Sequence, residues 1–214
     1  MNLACSYVKS GASARMHNMG SDMKRQIIAA LAFALLAATS ASQAAIIQYR
    51  STLGPEAAGA TGTGTVLLTF DSATSFLDFD VTFSGLSGIT TVAHIHCCTA
   101  VAGTGTAGVA VTTPTLPGFP TNVSSGTYLY NDLDMLAPAS YSAAFITASG
   151  GTTAGALSRL LANLDSGKAY FNVHSTTFTG GEIRGFPSRV PEPGTLALLG
   201  LGLAGLGLSR RRKA

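Results

Sequence analysis

Three histidines in this 214-residue chain have the spacing expected of metal ligands. His94 and His96 alternate with apolar residues, and His174 ends a second apolar segment, Ala169–His174. Side chains of a β-strand point alternately to its two faces, so His94 and His96 should project from one face. Two histidines from one strand and one from a neighbouring strand can bind copper or zinc and leave a fourth position open. The alternative is a structural role, with imidazoles hydrogen-bonded to the backbone or to acidic side chains.

Glu182 and Arg184 form a second candidate pair. They are two residues apart on a predicted strand and therefore share a face, directly after the turn Thr179-Gly180-Gly181. The sequence predicts a structural ion pair that orders a hairpin, or one that each residue makes with a neighbouring strand. A clamp for a substrate is the alternative.

Recognised catalytic motifs are missing from the sequence. It contains no Gly-x-Ser-x-Gly, no His-Glu-x-x-His and no Walker loop. Asp78 and Asp80 share a strand face, but nothing in the sequence selects an opposing carboxylate for glycoside hydrolysis. We therefore predict that the protein is not an enzyme, unless the three histidines carry a metal-dependent activity.

The elements that would position these residues are mainly strands. Period-two patterns rich in threonine, valine and aromatic residues recur between clusters of glycine, serine and proline. The predicted strands are Ile46–Arg50, Gly64–Asp71, Phe76–Ser84, Thr91–Cys97, Tyr141–Ile146, Ala169–Ser175 and Glu182–Phe186. One helix, Thr153–Leu164, has leucines at helical spacing and ends before Gly167. This pattern predicts an all-β Greek-key sandwich with one short helical crossover.

The N-terminal region has the layout of a secretory signal peptide. Lys24 and Arg25 precede the apolar run 27–38, and small residues before Ala45 predict cleavage between Ala44 and Ala45. The apolar run is too short for a transmembrane helix. Residues 1–22 precede the basic patch, which suggests that translation starts at Met23 (or Met19). We assign residues 1–44 to the signal peptide. We expect the Sec machinery to export the chain.

The C-terminal region, residues 188–214, contains a second targeting signal. Pro191-Glu192-Pro193 is followed by a short apolar helix over 195–208 and by the basic cluster Arg210–Lys213. This apolar stretch is marginal as a permanent membrane anchor. The three-part layout closely resembles the PEP-CTERM sorting signal of Gram-negative bacteria that make exopolysaccharide. The resemblance implies transient association with the inner membrane and cleavage near Pro-Glu-Pro by exosortase.

Removal of both signals leaves one domain, residues 45–187. Its charged residues are four basic and eight acidic side chains, a net charge of −4, whereas the whole chain carries +3. The basic residues in excess therefore lie in the targeting segments. This distribution argues against nucleic-acid binding.

Three blocks of this domain resemble the CHRD domain. They are His94-Ile95-His96, the segment Ala169–His174 and Gly180-Gly181-Glu182-Ile183-Arg184-Gly185, in the order found in that family. The resemblance spans roughly residues 46–186. It implies an immunoglobulin-like or dismutase-like sandwich, and it implies no established activity for bacterial members.

Cys97 and Cys98 depart from the family pattern, in which glycine often follows His-x-His. They are the only cysteines after the predicted cleavage site. In an oxidising envelope the two thiols can form a disulfide with each other, bridge two molecules, bind a metal or remain free.

Together these features predict an exported bacterial protein delivered to the cell surface or the exopolysaccharide matrix. We expect it to be a non-catalytic structural or binding module, with exopolysaccharide or other envelope components as partners. The alternative is a redox-type protein that binds copper or zinc at His94, His96 and His174.

Overall fold

The structure is a computed structural model that describes residues 45–191, together with Gly200, Gly202 and Leu203. The predicted signal peptide up to Ala44 lies outside the described residues, as do Glu192 and Pro193 of the sorting motif and most of the predicted apolar helix. Gly200, Gly202 and Leu203 are helical and exposed.

Nine strands, all paired antiparallel, dominate the described part of the chain. They are β1 (Ile46–Pro55), β2 (Thr63–Asp71), β3 (Phe76–Ser84), β4 (Thr90–Cys97), β5 (Val109–Val111), β6 (Gly126–Asp134), β7 (Ala169–Ser175), β8 (Ile183–Gly185) and β9 (Ser188–Arg189). The predicted mainly β fold is confirmed.

The hydrophobic pattern of each strand determines which face is buried. In β3, Leu77, Phe79, Val81 and Phe83 are buried, while the residues between them are partly or fully exposed. β2 follows the same pattern and pairs with β3 along its full length. Alternation of this kind is typical of an antiparallel sheet with one face on the core and one in solvent.

The strands are connected in the order β5-β4-β7-β8-β1-β2-β3-β6, and β9 also pairs with β1. The long strand β1 belongs to both halves of this arrangement. It pairs with β2 and β9 in what we call sheet A (β9, β1, β2, β3, β6), and its last two residues pair with β8 of sheet B (β5, β4, β7, β8). Core side chains from both sheets form one buried cluster, in keeping with a sandwich.

The last strand, β9, lies beside the beginning of the domain. Tyr49 is paired with Arg189, and the amide of Val190 donates to the carbonyl of Gln48 at 2.8 Å. The chain therefore leaves the domain next to the point where β1 enters it.

Two α-helices, α1 (Ala143–Ala148) and α2 (Thr153–Asp165), connect β6 to β7. The predicted helix corresponds to α2, which buries Ala156, Leu160 and Leu164. Its N-cap is Thr152, whose side chain accepts a hydrogen bond from the amide of Gly155 at 3.0 Å.

The prediction of a strand over Tyr141–Ile146 is wrong, because this segment leads into helix α1. The Ser142 side chain caps that helix by accepting from the amide of Phe145 at 3.2 Å. Tyr141 and Phe145 are four residues apart and stack with ring centroids 6.0 Å apart. A spacing of four residues fits both the strand period of two and the helical period of about 3.6. The N-cap formed by Ser142 favours the helix.

Candidate metal centre

The three histidines lie on one face of sheet B. β4 and β7 pair antiparallel with His94 opposite Asn172 and His96 opposite Tyr170, and His174 follows two residues after Asn172. These five side chains face away from the core. The residues between them, such as Ile95 and Phe171, belong to the core cluster.

All three imidazoles are buried, with exposed fractions of 6% for His94 and 8% for His96 and His174. One ring nitrogen from each lies within 4.8 Å of the others. The sequence therefore predicted correctly which histidines come together.

A different loop holds each ring through a hydrogen bond to a backbone carbonyl. These bonds join His94 Nε2 to Pro114 (2.7 Å), His96 Nδ1 to Ala107 (2.9 Å) and His174 Nδ1 to Thr179 (2.8 Å). A carbonyl oxygen only accepts, so the bonded ring nitrogen must carry the hydrogen. This determines the tautomer of every neutral ring.

In those tautomers, the other ring nitrogens carry lone pairs. His94 Nδ1 and His174 Nε2 face each other at 3.4 Å, and His96 Nε2 is buried without a hydrogen-bond partner among the described residues. Burial lowers the pKa of His94 and of His96 and outweighs the opposing effect of their carbonyl hydrogen bonds. Neutral rings are therefore favoured at His94 and His96. The hydrogen bond from His174 Nδ1 to Thr179 leaves Nε2 of His174 directed at His94, so one nitrogen of each ring is available to a shared ligand.

This arrangement has the chemistry of a transition-metal site. A histidine that binds a metal through one ring nitrogen usually donates its other N–H to a carbonyl or carboxylate, which orients the ring. All three histidines have that partner. Three imidazole nitrogens suit zinc or copper.

Polar and aromatic residues that sequence reasoning missed surround the histidines. The Tyr170 ring stacks on His96, with centroids 4.8 Å apart and planes inclined by 5°. Asn172 is fully buried and donates from Nδ2 to Glu56 Oε2 at 3.2 Å. The alternation of β7 places Asn172 on the face of His174, a signal that was available in the sequence. The contact with Glu56 spans 116 residues and has no local signature.

The ion pair predicted between Glu182 and Arg184 is wrong, because each residue has other partners. Arg184 pairs with Glu56 at 3.3 Å and donates to the carbonyl of Gly105 at 2.9 Å. Glu182 is fully buried and accepts hydrogen bonds from the amides of Ser87 and Gly88. Glu182 precedes β8 rather than lying within it, so the expected shared strand face does not apply.

Cys97 and Cys98 form a disulfide with each other across a cis peptide bond. Cys97 belongs to the core cluster and Cys98 packs against it. The disulfide therefore lies on the core side of β4, whereas the imidazoles lie on the opposite side.

Comparison with protein-family models matches residues 39–186 to the CHRD domain. The chain belongs to the CHRD domain family. All three histidines, together with Glu56 and Asn172, fall within this match, so the candidate site is part of the CHRD domain itself. A search of curated proteins and a search of solved structures found no significant match.

A second family model, the PEP-CTERM protein-sorting motif, matches residues 189–213. Both resemblances predicted from the sequence are thus confirmed. The motif implies processing by exosortase and export of the CHRD domain to the cell envelope or surface. No helix within the described residues is both long and apolar enough to cross a membrane.

Proposed function

We propose that the CHRD domain is a non-catalytic binding module of the cell envelope or exopolysaccharide matrix, and that it binds a zinc or copper ion through His94, His96 and His174. The observation that carries this proposal is the convergence of three lone-pair nitrogens, one of which, His96 Nε2, has no other partner among the described residues. A buried acceptor without a partner is unfavourable, and a bound cation would remove that cost.

Burial of the site supports binding over catalysis. Catalytic metal centres keep a coordination position open to substrate, whereas structural centres are closed. Here three loops close over the rings and leave less than a tenth of each histidine exposed. The redox alternative would use the same ligands, and the proposal extends only to binding.

Delivery follows from the sorting motif. The C-terminal segment holds the chain transiently at the inner membrane until exosortase cuts near Pro191–Pro193. The released domain, with its acidic net charge and many exposed threonines and serines, suits a hydrated polysaccharide environment, where matrix glycans or other envelope components would be its partners.

The metal content of the protein tests this function. The full-length chain is exported in a Gram-negative host, purified without a histidine tag and measured by inductively coupled plasma mass spectrometry. We expect near-stoichiometric zinc or copper in the wild type and little in a His94→Ala, His96→Ala double variant, because two of three ligands are lost.

A matched control is the Thr65→Ala, Thr82→Ala double variant. These threonines are exposed neighbours in sheet A, 2.8 Å apart, and far from the histidines in the strand order. We expect this variant to retain the wild-type metal content. Absence of zinc and copper from folded wild-type protein, even after reconstitution with either ion, would overturn the proposed function.

A further inference from the structure

Asn172 occupies the centre of the histidine face. It lies opposite His94 on β4 and opposite Arg184 on β8, and two residues before His174 on its own strand. His96 follows His94 two residues along the same face of β4 and is therefore a diagonal cross-strand neighbour of Asn172. Asn172 thus adjoins all three histidines.

The orientation of the Asn172 amide is fixed by Glu56. A carboxylate oxygen accepts and does not donate, so the amide nitrogen must be the atom that faces Glu56 Oε2 at 3.2 Å. Glu56 is itself held by Arg184, whose guanidinium lies over the Tyr170 ring at 5.3 Å. The amide oxygen of Asn172 therefore points away from Glu56.

That oxygen, Asn172 Oδ1, is buried and has no hydrogen-bond partner among the described residues. Only one other buried side-chain atom in the described part of the chain shares this condition, namely His96 Nε2. Both atoms are acceptors in the arrangement described above, so neither can satisfy the other. A cation between them would satisfy both.

Gly181, in the loop before β8, packs closely against the Glu56 and Asn172 side chains. A Cβ atom at Gly181 would collide with the Glu56 carboxylate and come within 2.9 Å of Asn172 Nδ2. The positive φ of Gly181, 128°, also favours glycine. Because glycine has no Cβ, Gly181 leaves room for the hydrogen bond between Glu56 and Asn172.

We infer, building on the proposed function, that Asn172 Oδ1 is a fourth protein ligand of the ion held by the three histidines. The donor set is then three imidazole nitrogens and one amide oxygen. An oxygen ligand favours a divalent ion such as Zn²⁺ or Cu²⁺ over Cu⁺, which prefers softer ligands.

The test compares metal affinities of the wild type and an Asn172→Ala variant of the full-length chain, with Zn²⁺, Cu⁺ and Co²⁺ as probes. We expect Asn172→Ala to weaken Zn²⁺ binding at least about tenfold and Cu⁺ binding much less. The visible spectrum of bound Co²⁺ should change as well, because it depends on the number and type of ligands.

Two further variants provide the control and the rescue. Asn163→Ala removes an asparagine of α2 that donates to the carbonyl of Arg159 and takes no part in the hydrogen bonds of the three histidines, so it should leave binding unchanged. Asn172→Asp combined with Glu56→Gln reverses donor and acceptor and keeps an oxygen towards the histidines. This double variant should retain Zn²⁺ binding and keeps the test valid if Asn172→Ala does not fold.

The outcomes separate the two proposals. Wild-type protein that binds none of the probes overturns the proposed function and this inference together. Wild-type binding with equal Zn²⁺ affinity and an equal Co²⁺ spectrum in folded Asn172→Ala overturns the ligand role alone. Weaker binding with an unchanged Co²⁺ spectrum also overturns it, since Asn172 would then only position the histidines. If Asn172→Ala does not fold, loss of Zn²⁺ binding in the folded double variant overturns the ligand role.

Discussion

Backbone carbonyl groups, rather than side chains, orient the three imidazoles of the candidate site. Ala107, Pro114 and Thr179 contribute only their carbonyl oxygens to His96, His94 and His174. Substitution at these loop positions would preserve the hydrogen bonds as long as the loop conformation is kept. The ring tautomers are therefore a property of the loop backbone rather than of particular side chains.

Residue types and alternation were sufficient to predict the three histidines as a cluster. They were insufficient for the network beside it, because Glu56 lies 116 residues from Asn172 and 128 residues from Arg184. Only the pairing of β8 with both β1 and β7 brings these side chains together. The prediction for Glu182 was wrong for the same reason, since its partners lie in the loop before β4.

Glu182 should contribute stability that depends on pH. Burial alone would raise its pKa, but hydrogen bonds from Ser175, Ser87 and Gly88 outweigh burial and hold the pKa below the usual 4.5. A lowered pKa in the folded state means that the ionised carboxylate stabilises the fold above pH 4.5, and that this stabilisation is lost as the pH falls through the folded-state value.

We therefore expect Glu182→Gln to lower the free energy of unfolding by about 1–3 kcal/mol at pH 7, and the deficit to shrink under acidic conditions. Urea unfolding at a series of pH values measures both effects. Asp80→Asn removes an exposed carboxylate of β3 and should change stability by less than about 0.5 kcal/mol. Equal stability of Glu182→Gln and wild type at pH 7 would contradict the argument.

The strands predicted best from the sequence are those with unbroken alternation. β3 and β7 were predicted with their observed limits, and β2 and β4 to within one residue. β6 was not predicted, because its pairing with β3 shifts between Leu77 and Phe79 and Asp132 has a φ of 61°. A bulge inserts an extra residue and changes the phase of the alternation, so sequence periodicity fails there.

The N-cap of helix α2 should contribute measurably to the stability of the domain. Thr152→Ala removes the side-chain oxygen that caps α2 and should destabilise the protein by about 1 kcal/mol. Thr153→Ala, at the first residue of the same helix, is the matched control and should have a smaller effect. Thermal unfolding of both variants measures the difference, and similar losses for both would argue against capping by Thr152.

At the scale of the whole molecule, the sequence indicated a β domain between two targeting signals, and the two family matches confirm its CHRD and sorting components. The path of β1 through both sheets was not predictable, because residues 51–55 lack the apolar alternation of the segment before them. Residues 51–53 still pair with β2, and only Gly54 and Pro55 pair with β8, a contact that has no local signature in the sequence.

The sorting motif yields a prediction about location. Replacement of Pro191, Glu192 and Pro193 by alanine should prevent cleavage and retain the chain in the membrane fraction, since exosortase acts near this motif. Cell fractionation and immunoblotting measure the distribution in a host that carries exosortase. The wild-type chain in a host without exosortase should show the same retention, whereas normal release of the variant would contradict the assignment.

The position of β9 also determines how the domain bears mechanical load. A force applied through the C-terminal segment first reaches two residues, Ser188 and Arg189, and the single bond from Val190 to Gln48. Such a short strand can be peeled from β1 one hydrogen bond at a time. The first bonds to break would thus be those at the edge where the chain leaves the domain, before any bond of β4 or β7, which carry the histidines.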